Sequence, residues 1–447
     1  MLTTRIYRIQ HAVGHGGFHA GHIDVLASLP ADFKVNSFHY VYDCGSESGE
    51  ALKHALNSHR STSNGRTDIL FVSHLHSDHI NGIERLQALA PVTTAVVPYL
   101  DIFDRLIFFL ADMDSGSASS SAREYLANPV RWWLNRGTKN VIFIEADNGD
   151  TPRPIAPEEP DGPIDDGGRH STMEHMEKTP RARLAPYLRK PRESAPSGLK
   201  IANEAQPLLN DEAILAGAGS FFQLQWRSES RSPWRDGDWI LLPYVHPVEQ
   251  IIRSHFQRAV RKALGLTRGH EISIARALLD HLTHPDKTET LLELYHEHFG
   301  RGHNALSMSL YSGPYCVHSD RNHQWRWSPG TYSAYSRERS VGWLGTGDST
   351  LKQQKRRDPW LNHFTPYTSH VGVLTLPHHG SAHNYHDEIL AFDGLAVALA
   401  TTIERRNRVA GLRETLDAVQ SKGIQTHIVD DQRGNTYQHW CERDMDE

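Results

Sequence analysis

At 447 residues and a formal net charge of −6, the chain is no globally basic nucleic-acid binder, although a local basic groove stays open to it. Its 38% hydrophobic content still allows a sizeable core. The three cysteines, Cys44, Cys316 and Cys441, are scattered and odd in number, which argues against a disulfide framework and for a reducing, cytoplasmic setting. No signal-peptide pattern opens the sequence, and no run of about 18 or more apolar residues occurs, so no membrane span is expected.

In chain order, residues 5–13 alternate as a strand, and Gly14-His15-Gly16-Gly17 turns the chain. Phe38–Tyr42 is a second strand ending in Asp43-Cys44-Gly45. Asp43 is expected either to cap that turn or to orient a metal-bound histidine from behind. Glu50–His59 is helical. Asp68–Val72 is a buried strand and Ile83–Leu89 a helix, with His74-Leu75-His76-Ser77-Asp78-His79 on the turn between them. A strand follows at 91–98. Residues 115–121 form a serine-rich patch expected to be flexible, and 141–145 is a strand. Residues 151–203 are rich in Pro, Gly and charge and are expected as a surface insertion. Strands resume at 220–226 and 239–242. An amphipathic helix follows at 249–264, with Arg253, Arg258, Arg261 and Lys262 on a face read as solvated, and helices continue to Phe299 with a break at Pro285. Then come Gly302-His303-Asn304 before a strand, a strand running into Gly347-Asp348, a helix with a basic cluster at 355–357, and a strand ending in His378-His379-Gly380-Ser381. A strand at 395–400, a helix at 412–422 and a strand at 426–429 close the chain.

Four metal-competent side chains within six positions, behind a hydrophobic strand, are more than 30 scattered histidines would give by chance. Imidazole and carboxylate donors together suit zinc, with manganese or iron as second choices. The His-x-His-x-Asp-His run, followed in order by Gly302-His303, Gly347-Asp348 and His378-His379-Gly380-Ser381, resembles the metallo-β-lactamase superfamily. Asn304-x-x-Ser307, the His-His-Gly-Ser motif and the closing strand–helix–strand are most similar to the hydrolase domain of ComEC-type DNA-uptake proteins.

The resemblance covers most of the chain. It implies one αββα sandwich over 1–447, with a polar insertion at about 101–240 and a helical insertion at about 249–300. It also implies two divalent ions. His74, His76 and His303 would bind the first; Asp78, His79 and one of His378 or His379 the second; Asp348 would bridge them. His246 is the alternative to His303. Strand alternation would put His378 and His379 on opposite sides. A shared water of lowered pKa would then act as nucleophile. Asp78 and His383 are expected to serve catalysis, His383 as proton donor, and Ser381, Arg405, Arg406 and Arg408 to contact substrate.

The function expected on these grounds is a phosphodiesterase, a nuclease acting on DNA, with no membrane partner and a partner protein from the same system, such as a defence system. The alternatives are a hydrolase of a small ester, lactone, thioester or cyclic nucleotide, and a non-catalytic, metal-stabilised partner-binding protein.

Overall fold

The computed structural model describes residues 2–27, 35–147, 181–185, 199–201, 206–207, 212–226, 235–247, 250–267, 271–300, 307–315, 325–329, 336–338, 340–403 and 409–445. Among them two mixed sheets lie face to face. The first runs in the order Ser336–Glu338, Trp325–Pro329, Tyr437–Met445, Leu2–Gln10, His19–Ala27, Val35–Tyr42, Thr67–Phe71, Val92–Pro98, Asn140–Ile144, Glu212–Ala216, Leu199–Ile201. The second runs Gln425–Val429, Val397–Thr401, Val371–Thr375, Gly342–Gly345, Met308–Pro314, Arg235–Val245, Phe221–Trp226, Arg181–Ala185, Gln206–Pro207.

Alternation along each strand sends one set of side chains inward and the other outward. The inward sets, among them Ile6, Phe38, Ile69 and Phe71 from one sheet and Phe222, Trp239, Met308 and Trp343 from the other, make the central core. The outer face of the first sheet packs on the helices Gly49–Thr62, Ile83–Leu89 and Pro129–Asn135. The outer face of the second packs on Gln354–Phe364 and Val409–Ser421. This is the four-layer αββα sandwich that the resemblance implies.

Thr67–Phe71 pairs in parallel with Val35–Tyr42 on one side and Val92–Pro98 on the other. Parallel strands covered on both faces need continuous apolar runs, and Ile69, Leu70 and Phe71 are fully buried. Gly342–Gly345, Val371–Thr375 and Val397–Thr401 are likewise parallel neighbours. Loops leaving the carboxyl ends of both parallel sets meet at one edge of the sandwich. The amide of Met308 donates to the carbonyl of Ser73 at 2.7 Å, and the Tyr42 hydroxyl donates to the carbonyl of Met308 at 2.7 Å, tying the sheets together there.

Several elements depart from the sequence reading. His19–Ala27 and Tyr437–Met445 are strands that the sequence reading left out. The stretch 101–240 is not only a polar loop: Ile102–Asp114, Ser120–Ala127 and Pro129–Asn135 are helices, and six strands from it, two of them expected at 141–145 and 220–226, join the two sheets before Arg235–Val245 begins. The serine-rich patch ends in an ordered cap, where Ser119 accepts from the Ala122 amide at 3.0 Å. The break at Pro285 falls where expected: one helix ends at His281, and Pro285 opens the next, Pro285–Phe299, where its missing N–H costs nothing. The helices Gln250–Ala263, Glu271–His281 and Pro285–Phe299 share a separate apolar core with Ile102–Asp114. Arg253, expected on a solvated face, is buried between Asp101 and Asp104. No helix among the described residues is long and apolar enough to cross a membrane.

Candidate metal centre

The loop between Thr67–Phe71 and the short helix Ser77–Ile80 carries His74, His76, Asp78 and His79. Asp43 fixes it from behind. This residue ends the neighbouring parallel strand with a left-handed backbone, φ 58°. Its carboxylate accepts from the Ser73 amide at 2.6 Å, the Ser73 hydroxyl at 2.7 Å and His79 Nδ1 at 2.9 Å. With Nδ1 donating to a carboxylate, His79 presents a bare Nε2. That atom is buried and has no hydrogen-bond partner. It lies 3.5 Å from Asp78 Oδ2 and 3.4 Å from Asp348 Oδ1.

The second sheet supplies the facing half. Gly347, at φ 53°, makes the turn that delivers Asp348; a Cβ there would stand 2.3 Å from Ser307 Oγ, so only glycine fits. The Asp348 amide is held by Ser307 Oγ at 3.0 Å. Asp348 Oδ1 faces His79 Nε2 and, at 3.5 Å, His379 Nε2; Asp348 Oδ2 faces His74 Nε2 and His378 Nε2, each at 3.7 Å. One carboxylate thus addresses two groups of imidazoles through different oxygens. His379 Nδ1 donates to the Thr401 carbonyl at 2.9 Å, which leaves its Nε2 bare as well, buried and without a hydrogen-bond partner.

The ligand atoms fall into sets lying within 4.8 Å of one another: His74, His76 and Asp348 in one, and His79, Asp348 and His379 in another. Orphaned, buried imidazole nitrogens aimed at carboxylates are what a pair of divalent cations would satisfy, and the donor types fit. Burial holds His74 and His76 below the ordinary histidine pKa, in the neutral form a metal needs. Burial alone would raise Asp348, but His378, His379, His79 and His74 hold it well below the usual carboxylate range. Burial would lower His79, yet Asp78, Asp348 and Asp43 outweigh it and raise it well above the ordinary value.

His378 and His379 do not lie on opposite sides. Both have left-handed backbones, φ 47° and 57°, so the segment is a tight turn after the strand and strand alternation does not apply. Both rings turn to Asp348, one to each oxygen. His303, Arg405, Arg406 and Arg408 lie outside the described residues. His246 is buried against Tyr244, ring centroids 4.8 Å apart, beside the Gln354–Phe364 helix rather than in the carboxylate cluster. His383 is exposed, its amide donating to Ser381 Oγ at 3.3 Å, and no contact among the described residues joins its ring to the cluster. The basic cluster at 355–357 is not a free cationic face. Arg356 and Arg357 are buried, and Arg357 donates to Glu388 at 2.6 Å and to the carbonyls of Leu351 and Lys352.

Two neighbours went unread in the sequence. Phe108, from the Ile102–Asp114 helix, walls the first imidazole pair, its ring 5.2 Å from that of His76. His15 lies against His379 with ring centroids 3.8 Å apart. Its only sequence signal is its place among the glycines of residues 14–17.

No family model matches the chain, and neither does any curated protein. Among solved structures, the crystal structure of the metallo-beta-lactamase fold protein YhfI from Bacillus subtilis is similar over 97% of this chain and 99% of that one, at 11% identity and a TM-score of 0.32. At that likeness no residue role passes from one protein to the other.

Proposed function

We propose that the chain is a metal-dependent hydrolase of phosphodiesters, with DNA as its substrate. The observation that carries the hydrolase reading is Asp348, whose two oxygens each face a separate group of imidazoles. His74 and His76 with Asp348 would hold one divalent ion, and Asp78, His79 and His379 with Asp348 the other. Two such ions supply an activated water and Lewis-acid contacts for the oxygen that gains charge in the transition state. Asp43 and the Thr401 carbonyl keep His79 and His379 in the tautomer that leaves Nε2 free. His378, half-buried at the rim, is placed to donate to a substrate oxygen. Zinc is the first choice of metal, with manganese or iron next, on the mixed nitrogen and oxygen donors.

DNA rests on the likeness of the motifs to ComEC-type hydrolase domains. The buried Arg356 and Arg357 lend it nothing, and Arg405, Arg406 and Arg408 are its remaining cationic candidates. The Phe108 wall beside His76 favours a second reading, a small organic ester or lactone.

The test incubates purified protein with Zn²⁺ or Mn²⁺ and plasmid DNA, single-stranded DNA, bis-p-nitrophenyl phosphate or a lactone. Cleavage of DNA by the wild type and its loss in Asp348→Ala supports the proposal. Lactone turnover with every phosphodiester left intact rejects it.

A further inference from the structure

His15 is absent from the ligand set that the sequence motifs imply, yet a ring nitrogen of His15 lies within 4.8 Å of both an Asp78 carboxylate oxygen and a His379 nitrogen. The residue is 8% exposed, and its ring is tilted 39° to that of His379. Glu47 stands at its outer side, with Oε1 4.0 Å from His15 Nε2.

The backbone around His15 is locked to the centre. The Gly17 amide donates to the Asp78 carbonyl at 3.3 Å, the Gly45 amide to the Gly17 carbonyl at 2.9 Å, and the Glu47 amide to the His15 carbonyl at 2.9 Å. Gly16 has φ 144°, and a Cβ there would stand 2.6 Å from the carbonyl oxygens of both Asp78 and Gly45. The glycine loop is therefore pressed against the residue whose carboxylate lies within 4.8 Å of the imidazole, so His15 approaches that carboxylate from a fixed backbone.

We infer that His15 is a ligand of the ion held by Asp78 and His379, an addition that rests on the dimetal reading. It gives that ion a third imidazole besides His79 and His379, and so tilts the site toward zinc and away from magnesium or calcium, which prefer all-oxygen shells. The two ions then differ in kind: one is bound from the histidine loop and the Asp348 side, the other is clasped in addition by the N-terminal glycine loop.

The experiment measures bound zinc per chain and zinc affinity against a competing chelator, with the visible absorption of the Co²⁺-substituted protein, for wild type, His15→Ala, His15→Phe and Asp348→Ala. His15→Phe keeps a ring against His379 and removes only the nitrogens. The expected result is about a tenfold or greater loss of affinity for one of two ions in both His15 variants, with a changed cobalt spectrum in both. Wild-type affinity and spectrum in His15→Phe would overturn the inference while leaving the dimetal reading intact. Equal zinc content in wild type and Asp348→Ala overturns both. The melting temperature of each metal-free variant shows whether a loss belongs to the site or to the fold.

Discussion

Asp43 is an aspartate where the backbone favours glycine, a conformation that costs on the order of 1 kcal/mol or more. Three hydrogen bonds to its carboxylate offset that cost and fix the His79 tautomer. Asp43→Asn places an amide where the carboxylate stood, and zinc affinity should fall about 10- to 100-fold, read by chelator competition. A second set of residues gives the fold an acid limit. His59, on the inner face of the Gly49–Thr62 helix, and His11, His22 and His39 beneath it are buried, each with a ring nitrogen lacking a hydrogen-bond partner. Burial lowers His22 to about 4, and burial with neighbouring imidazoles lowers His11 to about 3 and His39 to about 3, where Arg66 adds its charge; His59 also falls well below the ordinary value. A histidine whose pKa falls on folding binds its proton first in the unfolded chain, so stability is lost as pH drops below about 6.5 and through the folded values. The urea midpoint should decline steeply from pH 6.5 to 4, and His11→Phe should flatten the slope. Residues at this scale are legible when their signal is contiguous: four metal-competent groups at 74–79 declare themselves. His15 does not, because its partners are set by tertiary packing and one histidine among 30 carries no signal of its own.

The Ile102–Asp114 helix joins the centre to the helical insertion. Asp101 caps it, accepting from the amides of Phe103 and Asp104 at 3.0 Å, and Asp104 returns to the Asp101 amide at 3.3 Å. The same two carboxylates hold Arg253, and Arg105 on this helix pairs with Glu271. Burial and the charge of Asp101 push Asp104 up to about 6 despite Arg253, so removing that cation leaves two carboxylates facing each other. Arg253→Ala should destabilise the protein by about 3–5 kcal/mol. Hydrogen exchange should show protection lost first in the helices of residues 250–300. This helix escaped the sequence reading because its apolar residues nearly encircle it: Ile102, Phe103, Leu106, Ile107, Phe108, Phe109 and Leu110 are all buried, so no amphipathic period stands out. His19–Ala27 escaped for the opposite reason. His19 and His22 stand where apolar residues would mark a strand, one stacked on Trp343 and the other paired across the sheet with His39. The helices at 49–62 and 83–89 and the buried parallel strands had strong local patterns, and sequence and structure agree on them within a few residues.

At the scale of the molecule, the candidate centre is a seam. Asp43, His74, His76, Asp78 and His79 come from the first sheet, and Asp348, His378 and His379 from the second. Cations bound there would join the two halves of the sandwich. Stripping them with a chelator should lower the melting temperature, and one further effect should appear: zinc at a thousandfold its Kd should restore about 4 kcal/mol. The layered architecture was legible from the order of strands and helices, whereas the depth of the seam depends on contacts far apart in sequence. The longest of these joins the strands Leu2–Gln10 and Tyr437–Met445, which pair from Leu2 against Met445 to Gln10 against Tyr437. Arg8, buried in the first strand, takes one of its partners, His439, from the last. During synthesis the early strand leaves the ribosome long before its neighbour exists, and that flank of the sheet waits open with an unpaired backbone. The nascent protein thus carries one unsealed edge until Tyr437–Met445 arrives, and a chaperone that shields exposed strands should bind it until then.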